Sequence, residues 1–447
     1  MANVIKLRKG LDINLQGKAS LGLASEIPSA KFALVPDGFH GMKPKIVVHE
    51  GDEVKAGDAL FVDKLHPEVN FVSPVSGRVT AVVRGDRRKV LSVQVAASAE
   101  QKYKEFDLKD VKSLKADEVL SALLESGLFA FFRQRPYDVC ANPEDKPKAI
   151  FVSAINDKPL AADVDFVLKG QENDFQTGVD VLAKLAKVYV GVKPSSPLAK
   201  TRGAEVTAFD GPCPAGNVGV HINHLNPINK GEVVWTLGAE EVVFVGRLFR
   251  LGHIDLTRTI ALAGAEVETP AYYRVKVGQD IASIVDGKLK KADHHVRVIA
   301  GNPLVGVKVS GEDYLLPHAA EVTVIPEGDD VHEAFGWMMP RFKEFSTSRS
   351  YFSWLMGKKA YNLDARIKGG ERHMIMSGEY SKVFPMDVMP EYLIKAIIAG
   401  DIDRMEALGI YEVAPEDFAV AEFVDSSKLE LQRIVREGLD MLRKENE

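Results

Sequence analysis

The chain has 447 residues, too many for one hydrophobic core, and its 46% apolar and 27% charged content is that of a folded globular protein of about three or four modules. Its 57 Lys and Arg against 63 Asp and Glu leave a formal charge of −6, with the two signs interspersed, which excludes the basic face of a nucleic-acid binder. Cys140 and Cys213 are too few for a disulfide framework or for an iron–sulfur cluster, which takes about four ligands.

The N-terminus has neither the apolar core nor the small-residue cleavage site of a signal peptide. No window reaches about 18 uninterrupted apolar residues, so no segment is expected to span a membrane. Residues 1–100 read as all-β: short strand-like runs at 45–48, 59–62, 69–73, 77–83 and 90–95 are separated by Gly-Asp, Pro and Ser-Gly turns. The Gly51-Asp52 and Gly57-Asp58 turns and the Ser-Pro-Val-Ser-Gly element at 73–77 resemble the biotinyl/lipoyl hammerhead. In working carriers of that fold the modified lysine lies eight residues before the proline. That position here is His66, with Lys64 two away, so a scaffold without an acceptor lysine is expected.

From about residue 101 to 253 strand-like and helix-like runs alternate. Helical spacing covers 116–132 and 176–187, and strands are expected at 148–154, 188–192 and 204–209, the pattern of a Rossmann-like α/β domain with a parallel sheet. Residues 254–330 return to short strands with one helix at 281–285. From 331 to 447 the pattern is mainly helical. Pro390 opens one helix at a tolerated position, and Ser427-x-x-Glu430 reads as a capping box for the last one.

The loop GPCPAGNVGVHINHLNP (211–227) follows the 204–209 strand, where ligands bind in open α/β sheets. Gly211, Gly216 and Gly219 have neither dinucleotide nor Walker spacing. Pro212, Pro214 and Pro227 delete donors that a phosphate cradle uses. Cys213, His221 and His224 are enough in number for a catalytic zinc, yet Asn223, Asn226, Pro227 and Asn229 argue against the regular helix that would turn both histidines one way. Cys213 has no cationic sequence neighbour to activate it as a nucleophile. No metal site and no catalytic residue are expected.

Two aromatic and basic loops remain. Residues 36–44 hold Phe39, His40 and Met42 beside Lys43, and residues 131–139 set Phe131, Phe132 and Tyr137 around Arg133 and Arg135. Rings beside a fixed cation suit an aromatic ligand such as a quinone, or a partner hot spot. Packed rings with solvated bases are the competing reading.

The segments LRKGLDINLQGKAS (7–20), GDEVKAGDALFVDK (51–64), NFVSPVSGRV (70–79), ESGLFAFFRQRP (125–136), AFDGPCPAGNVGVHINHLNP (208–227), FGWMMPRFKEFSTSR (335–349) and VFPMDVMPEYLIKAIIAGD (383–401) resemble, from end to end, the NqrA family of the sodium-translocating NADH:quinone reductases. The resemblance implies an α+β multidomain chain: a hammerhead-like β domain, a degenerate Rossmann-like domain, a small β-grasp (SLBB-type) domain and a C-terminal helical domain lacking cluster cysteines. It implies a peripheral subunit on the cytoplasmic face of the bacterial inner membrane, touching the bilayer only through its five partner subunits, NqrB to NqrF. There NADH is oxidised, ubiquinone or another quinone is reduced and sodium is exported. FMN, riboflavin, FAD and iron–sulfur centres are expected in those partners, with no tightly bound cofactor and no isolated activity in this chain. The role implied is quinone access or assembly, the alternative being assembly with no quinone contact. Relatives of this architecture, in respiratory complex I and the Rnf complex, use a glycine-rich flavin loop and a cysteine cluster that this sequence lacks. Members of the family often carry His where this chain has Cys213, so neither side chain is obligatory there.

Overall fold

In the computed structural model residues 3–22, 25–332, 335, 338–347 and 349–446 are described. The largest of the four sheets among the described residues positions the site. Its parallel strands are Ala149–Ala154, Val188–Val192, Glu205–Asp210 and Val234–Gly238. The first, second and fourth are near-continuous apolar runs, as burial on both faces requires, and Glu205–Asp210 joins them with Thr207, Ala208 and Phe209 buried. The chain lays down the first three outward in one direction. It then returns to the other side of Ala149–Ala154, placing Val152 opposite both Val190 and Leu237. This reversal makes a topological switch point beyond Ala154 and Gly238, the usual ligand position in such sheets.

Successive side chains enter different cores, as the two-residue strand period dictates. Ile150 and Val152 pack with the helices Glu172–Leu182 and Ala239–Leu251, whereas Ala149 and Phe151 pack with the C-terminal helices. Gly178 and Gly246 allow the first two helices to meet backbone to backbone, because a Cβ on either would overlap the other's main chain.

Two edges of this sheet depart from the sequence reading. Asn3–Lys6 leaves the N-terminal β region and pairs in parallel with Glu205–Asp210. Arg133–Arg135 and Val139–Cys140 form an antiparallel hairpin beside Val234–Gly238, where helical spacing extended to residue 132. The helix ends at Ser126 because Gly127 takes a left-handed φ of 76°, and a 3₁₀ turn Leu128–Phe131 follows. The helix expected at 176–187 runs Glu172–Leu182 instead.

Residues 31–97 form a four-stranded and a three-stranded sheet, and the Ala59–Asp63/Asn70–Val72 hairpin turns through Lys64 and His66. A six-stranded sheet uses Thr257–Ala263, Ala271–Lys276, Val296–Ala300, Val307–Val309 and Glu321–Pro326, plus Ser25–Glu26 from the N-terminal region.

The mainly helical reading from 331 onward needs correction. Regular α-helix begins only at Tyr380, and among the described residues 331–379 hold no α-helix and no strand, with a 3₁₀ turn at Phe352–Met356. Pro340, Gly357, Gly369, Gly370 and Gly378 interrupt every helical period there. Gly336, Trp337 and Ser348 of the motif at 335–349 lie outside the described residues. The Ser427 capping box does not form either. Asp425 accepts the Ser427 and Leu429 amides at 3.0 and 2.8 Å, while Ser427 Oγ accepts the Ile375 amide at 2.9 Å.

Candidate functional site

The turn after Glu205–Asp210 is fixed by neighbours rather than shaped to hold a ligand. Its Cys213 amide donates to Asp12 Oδ1 at 3.1 Å and its carbonyl accepts the Leu11 amide at 2.7 Å. The Gly216 amide donates to Asp157 Oδ2 at 2.8 Å. Contrary to the sequence reading, a helix does follow, Val218–Leu225, ended by Asn226. His221 and His224 therefore share a face, but not as metal ligands. The His221 ring stacks on Phe209 at 4.2 Å and donates from Nε2 to the Ala215 carbonyl at 3.0 Å, and His224 Nδ1 donates to the Val220 carbonyl at 2.9 Å. Burial lowers the His221 pKa to about 4, so its ring is neutral, and pushes the Cys213 thiol up. Among the described residues no three His, Cys, Asp or Glu side chains are grouped as metal ligands.

The two aromatic and basic loops do come together: the Cys140 amide donates to the His40 carbonyl at 2.8 Å. Their side chains divide sharply. Phe39 is core, 4.7 Å from the Phe71 ring and 6.1 Å from that of Phe131. Met42 packs against the same core, half-buried. His40 reaches Asp440 at 3.3 Å on the last helix, and the Tyr137 hydroxyl accepts from Asn446 at 3.1 Å. Arg135 is fully buried, with Asp417 at 3.3 Å, Glu416 at 3.6 Å and the Glu412 carbonyl at 3.0 Å. It is an interior ion-pair residue that also lines the cleft described below, and Arg133 is the half-exposed cation of the pair. Tyr137 and Asp138 take left-handed φ values of 83° and 51°, unusual for side-chain-bearing residues. Arg436 holds that tip by donating to the Tyr137 carbonyl at 2.7 Å and Asp138 Oδ2 at 2.9 Å. Burial works to raise the Asp138 carboxyl, but Arg133, Arg135 and Arg436 outweigh it and hold it below the usual range.

Above the switch point lies a cleft of about 640 Å³ whose walls come from all parts of the chain. Phe131, Ile155, Val164, Val167 and Leu168 supply apolar wall, and Arg133 and His40 stand at it too. Its floor is the start of the helix Ala239–Leu251, where a dinucleotide would place its phosphates. Acidic side chains occupy that position. A Cβ on Gly238 would overlap the Glu241 carboxylate, so that group folds over the helix N-terminus. His318, 3.5 Å away, and Arg258 overcome its burial and hold Glu241 at about 2. Glu240 pairs with Arg258 and accepts the Thr259 amide at 3.1 Å. On the opposite wall Lys158 donates to Asn217 Oδ1 at 2.9 Å and pairs with Glu416 at 3.6 Å. Asn217 in turn donates to Asp417 at 2.9 Å. A phosphate placed at this helix start would meet the Glu241 carboxylate, with Glu240 and its partner Arg258 beside it.

Sequence reasoning missed Lys158, Asn217, Glu240, Glu241, Arg258, His318 and Asp417. One local signal existed: Trp235-Thr-Leu-Gly238 followed by Glu240-Glu241 is a strand, a glycine and an acid-rich helix start. Asp417 meets Arg135 across 282 positions and leaves no local trace.

No helix among the described residues is long and apolar enough to cross a membrane. Three family models match the chain: an NqrA N-terminal barrel-sandwich hybrid domain at 5–98, an NqrA second α/β domain at 114–254 and an NqrA C-terminal domain at 259–311. Similar curated proteins are the A-subunits of the Na(+)-translocating NADH-quinone reductases of Serratia proteamaculans and Vibrio atlanticus, each 36% identical, and of Yersinia pestis, 34% identical, every one covering 99% of this chain and 100% of the relative. Among solved structures, an NAD+-reducing [NiFe]-hydrogenase in the air-oxidised state superposes with a TM-score of 0.37 and 12% identity over 77% of this chain and 72% of its own. With near-complete mutual coverage at this identity, the chain, a multidomain α+β protein, belongs to the NqrA family of the Na+-translocating NADH–quinone reductases.

Proposed function

We propose that this chain is a peripheral subunit on the cytoplasmic face of a bacterial Na+-translocating NADH–quinone reductase, and that it serves assembly without a tightly bound redox centre of its own. Hydride and electron transfer then proceed on the FMN, riboflavin, FAD and iron–sulfur centres of NqrB to NqrF. One observation supports this reading: at the switch point the Glu241 carboxylate, paired with His318 and flanked by Glu240 and Arg258, lies over the helix start where a nucleotide's phosphates would sit. Purified chain is expected to lack flavin absorbance and to give no heat on titration with NADH, FMN or FAD. A complex depleted of it is expected to lose quinone reduction until the chain is added back. Stoichiometric flavin in the isolated chain contradicts the reading.

The apolar wall beside Arg133 and His40 favours a second reading, in which the cleft admits a quinone ring. Photolabelling of the intact complex with an azidoquinone separates the two. Label on the cleft wall, lost in Arg133→Ala, supports quinone access, and label confined to other subunits supports assembly alone.

A further inference from the structure

Residues 338–376 have a surface unlike the rest of the chain. Met338, Met339, Phe342, Phe352, Leu355 and Ile367 are exposed, Leu355 at 61% and Ile367 at 71% of their full surface, with Trp354, Met356, Ile375 and Met376 among them. The same stretch holds eight Lys and Arg against three Asp and Glu, inside a chain whose balance is acidic. Single exposed apolar residues are ordinary, but so dense a group of large ones is the mark of a covered surface.

The base of the segment is fastened, so the apolar side chains are held out from a fixed platform. Tyr361 is buried and exchanges backbone hydrogen bonds with Asn14 and Gln16 at 2.8 and 2.9 Å. Phe345 packs edge-on against Tyr361 and Phe423 at 5.3 and 5.5 Å. The Ala365 amide donates to the Pro326 carbonyl at 3.0 Å, and the Arg372 amide to that of Ser427 at 2.8 Å.

We infer that 338–376 is the docking segment for another protein of the same complex, one presenting an apolar groove bordered by Asp and Glu. This rests on the assembly reading and adds where the contact lies and what chemistry meets it. Charge complementarity selects an acidic border, and the large apolar side chains select a groove to fill. The length of the segment also suffices for the roughly 20–30 residues a side of a stable interface. A bilayer is the less suitable occupant. The described residues of the segment hold no α-helix and no strand, and irregular backbone exposed to hydrocarbon leaves polar groups unsatisfied. Nor do the described residues of the segment hold a long amphipathic helix to lie in the interface.

The test uses the full chain in its native complex. A photo-crosslinking phenylalanine replaces Phe352, and separately Trp354→Ser/Leu355→Ser and Lys343→Glu/Lys358→Glu are introduced. Circular dichroism and urea unfolding verify that each folds. The expected result is a crosslink to one other protein of the complex, with at least tenfold weaker retention of both double variants after detergent solubilisation. Crosslinks only to lipid or to a second copy of the chain overturn the inference. So does wild-type retention of both variants. In that case wild-type chain still co-purifies, so the assembly reading survives; if wild-type chain does not co-purify at all, the assembly reading itself fails. Binding of the isolated chain to vesicles rich in phosphatidylglycerol, abolished in the variants while assembly is unchanged, assigns the patch to the membrane and also overturns it.

Discussion

Removing the Asp417 carboxylate is the sharpest test of how the modules are held together. That group accepts from Arg135, from Asn217 at 2.9 Å and from the Ala414 amide at 2.8 Å, and both it and Arg135 are almost fully buried. In Asp417→Ala the guanidinium keeps Glu416 at 3.6 Å and Asp138 at 3.8 Å but loses its nearest counter-charge. Breaking a buried pair from one side costs about 3–5 kcal/mol, because the remaining charge stays desolvated. Urea unfolding followed by circular dichroism is therefore expected to show a loss of that order for Asp417→Ala. The double variant Arg135→Met/Asp417→Leu removes both charges and is expected to recover at least about 2 kcal/mol of it. A loss below about 1 kcal/mol, or no recovery in the double variant, refutes the argument that this ion pair joins the hairpin to the C-terminal helices.

Three further outcomes follow from the same physics. The His221 pKa of about 4 lies below the ordinary 6.5, so the folded chain binds fewer protons than the unfolded one between those values. Stability is then full above about pH 6.5 and falls by up to about 3 kcal/mol as pH drops through about 4. His221→Leu is expected to flatten that slope in urea titrations at about pH 7 and about pH 5. A methyl group on Gly191 would overlap the His221 ring, so Gly191→Ala is expected to cost about 1–3 kcal/mol by thermal or urea unfolding. Pairing it with His221→Ala should relieve part of that cost. Cys213 is 1% exposed with its thiol pushed up by burial, and iodoacetamide mass spectrometry at about pH 8 is expected to find it unmodified until urea unfolds the chain.

Much of the local structure was legible from side-chain spacing. The α/β alternation, the short helix Ile281–Val285 and the proline-led helix Pro390–Ala399 rest on period and capping chemistry read within a few residues. Long-range pairing was not. Asn3–Lys6 has nothing in its own residues to assign it to a strand as distant as Glu205–Asp210. The asparagines and Pro227 that argued against a helix at His221 act at its end, where Asn226 terminates it, and leave its interior intact. Arg135 read as an available cation because its counter-charges at 416 and 417 lie in the last domain. The loop beginning at Gly211 stood out for its composition, yet the charged floor of the cleft is built from an ordinary Glu-Glu pair after a strand.

Native mass spectrometry of affinity-tagged chain drawn from detergent-solubilised bacterial membranes shows whether it is a cofactor-free subunit of a larger complex. The expected result is a heteromeric assembly from which this chain dissociates at the mass calculated from its sequence, while flavin masses stay with the other components. Recovery of the chain alone, or with a flavin or nucleotide mass attached to it, would overturn that role.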